Sequence, residues 1–154
     1  MLNQNSTPSE YTKAIIATST VKANNPLVKH GLLGFLGGIF ISFGSHARIA
    51  IMQNFLELDM SLGSLLGDFV FPMGYILVIL SGAESFTGNN LMSLATFTRK
   101  ITFTSMLRNW IFVYLGNFLG AFVLAAVIVN TGILTDIGLE LTLSLAHSKL
   151  SLSF

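Results

Sequence analysis

A run of small and polar residues interrupts an apolar stretch near the middle of the sequence. Residues 82–90 read Gly-Ala-Glu-Ser-Phe-Thr-Gly-Asn-Asn, and apolar residues dominate on both sides. In hydrocarbon, a backbone polar group without a hydrogen bond costs several kcal/mol. A polar, irregular segment at that depth is therefore tolerated only where it is buried in protein or lines a wet path. We take this segment as the first candidate for a functional site.

The polar residues of the segment allow more than one chemistry. Glu84 is the only ionisable residue that we place inside a span, and such a residue is a functional hypothesis by default. We favour support of the broken loop over substrate contact for Glu84, and helix capping over ligand binding for Asn89 and Asn90. Thr87 either donates into a path or pairs with the broken backbone. The N-terminus of a half-helix here would carry partial positive charge and favour an anion.

The composition is that of a membrane protein. The 154 residues are 52% hydrophobic and 10% charged, whereas soluble domains carry about 25% charged residues. The formal net charge of +1 does not favour attraction to nucleic acid. The absence of cysteine excludes disulfides, thiolate metal sites and cysteine nucleophiles. Because no metal-ligand cluster, nucleotide-binding loop or catalytic triad is recognisable, we predict neither an enzyme nor a cofactor.

Apolar runs of membrane-crossing length predict an all-α membrane protein. The expected spans cover about 31–52, 65–98 with a break at 82–90, and 107–131, and residues 139–154 begin a fourth. Neither half of the second span reaches the ~20 residues that a crossing needs, so a discontinuous helix is predicted. In the first span, Gly34 and Gly38 have the spacing that lets membrane helices approach closely. Gly116 and Asn117 are interpreted as helix-packing and interhelical hydrogen-bonding residues.

The polar N-terminal segment, residues 1–28, lacks the apolar core of a secretory signal. Residues 1–8 are expected to be disordered. A short helix over about 9–24, with Ser9 as a weak start, either lies in the membrane interface or covers the protein's own surface. Basic residues precede the first and third spans, and acidic residues occupy the other loops. Because basic residues favour the cytoplasmic side, a cytoplasmic N-terminus is predicted.

Three segments resemble the formate/nitrite transporter family. Residues 82–90 are similar to the break in that family's second helix, 108–120 (Arg-Asn-Trp-Ile-Phe-Val-Tyr-Leu-Gly-Asn-Phe-Leu-Gly) to its third-helix motif, and 37–42 to its first helix. The resemblance makes 29–154 a partial transporter domain. It implies an aquaporin-like half-bundle of three transmembrane spans, the second one broken, plus the start of a fourth. It further implies pentamers in a bacterial inner or plasma membrane that pass small monovalent anions such as formate or nitrite, often with a proton.

The resemblance also implies roles for individual residues. The implied pathway residues are Phe71, Tyr75, Ser85, Phe86, Thr87 and Lys149, and the implied loop supports are Glu84, Asn89 and Asn90. Phe71 and Tyr75 would narrow the path, Thr87 would face its centre, and Lys149 would attract anions. Apolar collars around one polar centre fit the permeation of a desolvated, protonated weak acid.

The sequence departs from the family pattern because the second half, with its own break and central histidine, is missing. His30, His46 and His147 do not stand in that place. The first two lie at the ends of the first span and the third in the C-terminal segment, and for all three an interfacial role is favoured over a proton relay. The chain is interpreted as a fragment, a truncated product or half of a split protein. The predicted function is anion transport within a channel-like assembly. The alternative, motivated by the glycine-rich first span, is a non-transporting membrane subunit that packs against other helices.

Overall fold

The computed structural model describes residues 7–56 and 58–151, and these are almost entirely α-helical. In chain order the helices are α1 (Pro8–Ala23), α2 (Leu27–Phe55), α3 (Met60–Val70), α4 (Pro72–Ser81), α5 (Phe86–Asn89), α6 (Met92–Phe97), α7 (Phe103–Val129) and α8 (Asp136–Leu150). The described residues contain no β-strand. The all-α prediction is thereby confirmed. The expected disorder of residues 1–8 is wrong for Thr7 and Pro8, which begin α1, and its remaining part, 1–6, falls outside the described residues.

Within residues 7–56 and 58–151, three helical stretches are long and apolar enough to cross a membrane: α2, α3 with α4, and α7. This number of spans agrees with the prediction from sequence. The stretch Met60–Ser81 has 22 residues, so the expectation that this part is too short for a crossing is wrong. It starts before residue 65 because the Asp59 carboxylate caps α3, accepting from the amides of Ser61 and Leu62.

The chain forms two compact units, and several helices contribute to both. The first unit holds Met1–Gly38 and Gly82–Leu119, and the second holds Ile39–Ser81 and Gly120–Phe154. In the first unit, Ala23, Met92 and Met106 form a cluster of buried apolar residues, with Ile101 and Trp110 packed against it. In the second unit, the corresponding cluster contains Ile49, Met52, Ile128, Leu134 and Leu141.

Glycines allow backbone contact between α2 and α7 in the first unit. A Cβ atom on Gly34 would lie 2.9 Å from the Val113 carbonyl oxygen, and one on Gly38 would overlap the Asn117 carbonyl oxygen. Such positions accept only glycine without a shift of the helices. The prediction that small residues in the first span serve close helix packing is confirmed.

The N-terminal helix starts earlier than its sequence suggested. Thr7 is the N-cap, Pro8 is the first helical residue, and Glu10 completes a capping box with Thr7. Ser9, expected to start the helix, instead lies in its first turn. The N-cap side chain and the proline at the first position together explain this start.

Ionisable residues other than Glu84 lie within the predicted crossings, so that part of the sequence interpretation is wrong. Arg48 in α2 and Asp68 in α3 form an ion pair in the second unit, with 2.6 Å between Nε and Oδ1. Both helices extend further than the apolar runs indicated. The pair is partly exposed, and mutual neutralisation makes the two charges compatible with a helical span.

Candidate functional site

The polar break is an interruption of the helical path, as predicted. Helix α4 ends at Ser81, and Gly82 has a φ of +70°, a conformation that side chains other than glycine rarely adopt. Residues 82–85 are non-helical or turn, α5 is a single turn of four residues, and α6 adds six more. The helix is therefore interrupted within the segment that the sequence identified.

Asn117 holds the backbone of the break. Its Nδ2 donates to the carbonyl oxygens of Gly34 (2.7 Å) and Glu84 (2.9 Å), and its Oδ1 accepts from the Phe86 amide (2.9 Å). The Glu84 amide donates to the Leu33 carbonyl oxygen at 3.0 Å. Protein groups thus satisfy the polar backbone, which makes the break compatible with a lipid environment. The interhelical hydrogen bonding predicted for Asn117 is confirmed.

The position of Asn117 within α7 places the break far from either end of that helix. Asn117 is the fifteenth of the 27 residues of α7. At the helical rise of about 1.5 Å per residue, it lies roughly 20 Å from each end. Because α7 is long and apolar enough to cross a membrane, the backbone beside Asn117 lies opposite the middle of a crossing helix.

The Glu84 side chain lies in a buried hydrogen-bonded network. The residue is 2% exposed, and its Oε2 accepts from Asn89 Nδ2 at 2.7 Å and from Asn109 Nδ2 at 2.9 Å. Asn89 Nδ2 also donates to Asn109 Oδ1 at 2.8 Å. Lys22 Nζ, on α1, donates to Asn89 Oδ1 at 2.6 Å. We call Lys22, His30, Glu84, Asn89 and Asn109 the polar network.

His30 belongs to this network, and the expectation that it is interfacial is wrong. The residue is fully buried, and its Nδ1 lies 3.0 Å from Asn109 Nδ2. His30 is the fourth residue of α2, so its place near a helix end suggested exposure. The packing of α1, α7 and the break around it produces the burial. His46 lies within α2, with Nδ1 2.8 Å from the Ser42 carbonyl oxygen, and His147 is exposed on α8.

Two of the implied pathway residues use their side chains to build the break. The Ser85 hydroxyl accepts from the Gly88 amide at 3.1 Å, which makes Ser85 the N-cap of α5. The Phe86 ring meets Trp110 and Tyr114 edge to face, with centroids 5.8 and 5.5 Å apart. Both residues therefore hold the segment in place through contacts within the chain.

Thr87 is exposed, between the buried Ser85 and Asn89. Its hydroxyl lies 3.4 Å from the Ser85 hydroxyl. Of the break's polar side chains, those of Glu84 and Asn89 point into protein contacts, whereas Thr87 is accessible. Thr87 and Asn90 are thus the exposed polar residues of the break.

The predicted capping by Asn89 and Asn90 is wrong. Leu91 occupies the N-cap of α6, and no side chain caps that helix. Asn89 is instead used in the polar network, and Asn90 is the exposed C-cap of α5. Asparagine is a favoured N-cap residue. Asn89 instead donates its side-chain amide to the buried Glu84 carboxylate and does not cap α6.

The three other implied pathway residues belong to the second unit. Phe71 and Tyr75 are 40% and 45% exposed. A Cβ atom on Gly44 would lie 2.5 Å from the Phe71 carbonyl oxygen, so this part of α3 and α4 packs closely on α2. Lys149 is exposed in the last turn of α8.

Sequence reasoning missed Lys22, Asn109 and His30 as parts of the site. Asn109 lies inside the quoted third-helix segment, directly before Trp110, whose indole donates to the Asn89 carbonyl oxygen at 2.9 Å. That neighbourhood was a usable signal for Asn109. Nothing in the sequence around Lys22 or His30 distinguishes these two residues from other residues near helix ends. Over the described ranges, no three His, Asp or Glu side chains are arranged to hold a metal ion.

These features define a helical integral membrane protein whose second crossing is followed by a polar break. Residues 9–154 match the sequence model of the formate/nitrite transporter family, and the chain belongs to that family. This agrees with the resemblance seen in the break and in the third-helix segment. The family consists of transporters rather than enzymes.

Individual relatives show the same likeness over most of the chain. A protein named formate channel BtFdhC from Bacillus thuringiensis is 38% identical over 96% of this chain and 58% of its own length. An uncharacterized transporter, YrhG, from Bacillus subtilis (strain 168) is 39% identical over 96% of this chain and 56% of its own length. The formate channel FocA of Haemophilus influenzae is 39% identical over 82% of this chain and 44% of its own length. The chain thus spans about half the length of these curated relatives.

Proposed function

We propose that this chain forms part of a membrane path for small monovalent anions, with formate as the first candidate. The observation that carries the proposal is the polar break, fixed beside the middle of α7 by Asn117, with the Thr87 hydroxyl left accessible. Family membership supports it, as do the names of two relatives as formate channels. Nitrite remains a second candidate, which flux competition would separate from formate.

The Thr87 hydroxyl is the proposed donor to the anion at the centre of the path. The amide hydrogens of Phe86 and Gly88 already have protein acceptors, and α5 is only four residues long. A contribution from the helix N-terminus is therefore small. Phe71 and Tyr75 are the proposed apolar constriction. Because such a constriction excludes charge, we propose that the weak acid crosses together with a proton.

Helices supplied by another segment or chain would complete the path. The chain covers about half the length of its first relatives, and we propose that the remaining helices of the path correspond to the part it does not cover. We propose a pentameric assembly in a bacterial inner or plasma membrane, with the N-terminus in the cytoplasm. Lys149 is proposed to attract anions toward the path, since it is exposed and has no acidic partner among the described side chains.

The alternative is a subunit that only packs against other helices. It was motivated by the glycine-rich first span, most of whose glycines have partners within the chain. Gly34 faces Val113, Gly37 faces the Glu84 backbone, and Gly38 faces Asn117. These glycines serve contacts within the chain itself. They therefore no longer call for an external helix.

A flux assay tests the proposed function. The chain is reconstituted in vesicles together with the part of the Bacillus thuringiensis relative that the chain does not cover, and uptake of labelled formate is measured. Uptake above that of empty vesicles and of either part alone is expected. Thr87→Val, which removes the hydroxyl at constant volume, should reduce uptake about tenfold, as for loss of one hydrogen bond to an anion. Thr98→Val, at an exposed helix end, is the matched control.

Uptake no greater than that of empty vesicles would contradict the transport proposal. Equal uptake by the Thr87→Val and Thr98→Val variants would contradict the role of Thr87 alone. Native mass spectrometry of the same sample measures assembly, for which five copies of each part are expected.

A further inference from the structure

Only one assignment of donors and acceptors satisfies the hydrogen bonds of the polar network. Asn89 uses both hydrogens of its amide, one for Glu84 Oε2 and one for Asn109 Oδ1. Its own Oδ1 accepts from Lys22 Nζ. An ammonium group can only donate, so the orientation of the Asn89 amide is determined.

The orientation of Asn109 follows from that of Asn89. Asn109 Oδ1 accepts from Asn89, which leaves the two hydrogens of Nδ2 for Glu84 Oε2 and for His30 Nδ1. The reversed amide would place two N–H groups opposite each other and a carbonyl oxygen opposite the carboxylate. His30 Nδ1 must therefore accept a hydrogen bond, and a ring that accepts at Nδ1 carries its proton on Nε2.

We infer that His30 is a positioning residue whose neutral, Nε2-protonated ring orients Asn109 and, through Asn109, the Glu84 carboxylate beside the break. The ring is fully buried. Nε2 makes no hydrogen bond of regular geometry among the described residues, although the Asn25 backbone interacts with the ring. The contact from Asn109 at 3.0 Å is the side-chain hydrogen bond on this ring among the described residues.

Protonation of the ring disrupts this arrangement. A doubly protonated His30 has no acceptor, so the Asn109 amide must turn away from it and give up a donor to Glu84 or the bond from Asn89. The charged groups that act on the ring are Glu84 in the break, Lys22 on α1 and Arg108 on α7. Lys29 precedes His30 on α2 itself. Trp110 reports the change, because its indole donates to the Asn89 carbonyl oxygen and its ring meets Phe86.

The inference deepens the proposed function, since a displaced break would change flux, but its structural part does not depend on transport. The test therefore uses the whole chain in lipid nanodiscs, without a flux assay. Nitrogen-15 NMR of labelled histidine reads the tautomer of each of the three histidines, and the emission of Trp110, the single tryptophan, is followed against pH.

The expected result is a neutral His30 with Nδ1 unprotonated, and a red shift of Trp110 emission when that signal titrates. His30→Leu removes the acceptor and should show the red shift at every pH. His30→Asn keeps an oxygen near the Nδ1 position but does not titrate, so it should restore the emission and remove its pH dependence. His46→Asn, at a partly buried α2 histidine bonded to backbone, is the control and should behave as the unmodified chain.

An Nδ1-protonated tautomer for His30 would overturn the inference. So would Trp110 emission that is unchanged in His30→Leu, or a pH dependence that persists in His30→Asn. Failure of the flux assay with these results intact would count only against the transport proposal.

Discussion

Asn117 Nδ2 lies 2.9 Å from the carbonyl oxygen of Glu84, across 33 positions of sequence. The same amide accepts from the Phe86 amide, two residues further along the break. One side chain on α7 thus replaces two of the backbone hydrogen bonds that an uninterrupted helix would have made. This explains how polar backbone is tolerated opposite the middle of a crossing helix.

Removal of the Asn117 amide should destabilise the protein strongly. Asn117→Leu keeps the approximate volume but leaves the Glu84 carbonyl and the Phe86 amide without partners, a loss of about 2–5 kcal/mol in the free energy of unfolding. Denaturant unfolding followed by Trp110 fluorescence measures it. Asn130→Leu is the control, because Asn130 is exposed and its side chain donates to the Ala126 carbonyl oxygen, four residues earlier in the chain. Similar losses in both variants would contradict the bridging role.

The contact between α2 and α7 can be tested with a single methyl group. Gly38→Ala places a Cβ atom against the Asn117 carbonyl oxygen, and overpacking of this kind typically costs about 1–3 kcal/mol. Gly31→Ala, in the same helix, meets nothing within 4 Å. It should change stability by less than about 1 kcal/mol, toward greater stability. Thermal unfolding in detergent compares the two, and an equal effect would argue against backbone contact at Gly38.

Lys22 should anchor α1 to the break. Lys22→Met removes the donor to Asn89 Oδ1, a partly buried bond to a charged group for which we expect about 1–2 kcal/mol. Faster amide hydrogen exchange across α1 is the predicted readout. Lys13→Met, on the exposed side of the same helix, should leave exchange unchanged. An identical acceleration in both variants would show that α1 is held by other contacts.

Acid should weaken the start of α1. The backbone amide of Thr7, and then its hydroxyl, donate to the Glu10 carboxylate and hold the pKa of that carboxyl below its ordinary value of 4.5. Because the folded pKa is the lower one, the stabilisation is complete above about 4.5 and is lost as the pH falls through the folded pKa. NMR of the first-turn amides should show fraying in that range. Glu10→Gln keeps a capping box without a titrating group, so its fraying should not depend on pH.

Because the chain contains no cysteine, labelling of single introduced cysteines can measure the proposed membrane orientation without a background reaction. With a membrane-impermeant maleimide added outside cells, Leu58→Cys and Ile133→Cys should be labelled. Lys13→Cys and Lys100→Cys should react only after the membrane is opened. All four positions are exposed. The reverse pattern would invert the proposed orientation.

Much of the fold was predictable because hydropathy and chain-breaking residues act locally. The apolar runs indicated three crossings, and residues 82–90 located the break, since an ionisable Glu84 beside several polar residues is costly in a lipid-exposed helix. The ends of helices were less accurate. Caps at Thr7, Asp59 and Thr135 extend α1, α3 and α8 beyond the apolar residues that the prediction followed.

The sequence by itself therefore determined the class of protein, the family and the place of the break. Only the tertiary structure decided which side chains complete it, because the partners of the polar network lie far apart in the chain. Lys22 reaches Asn89 across 67 positions, and His30 meets Asn109 across 79. A histidine near a helix end has the same local sequence whether it faces headgroups or a buried amide. Its environment arises only when α1, α2, α7 and the break pack together, and the need to satisfy every buried polar group then assigns its role.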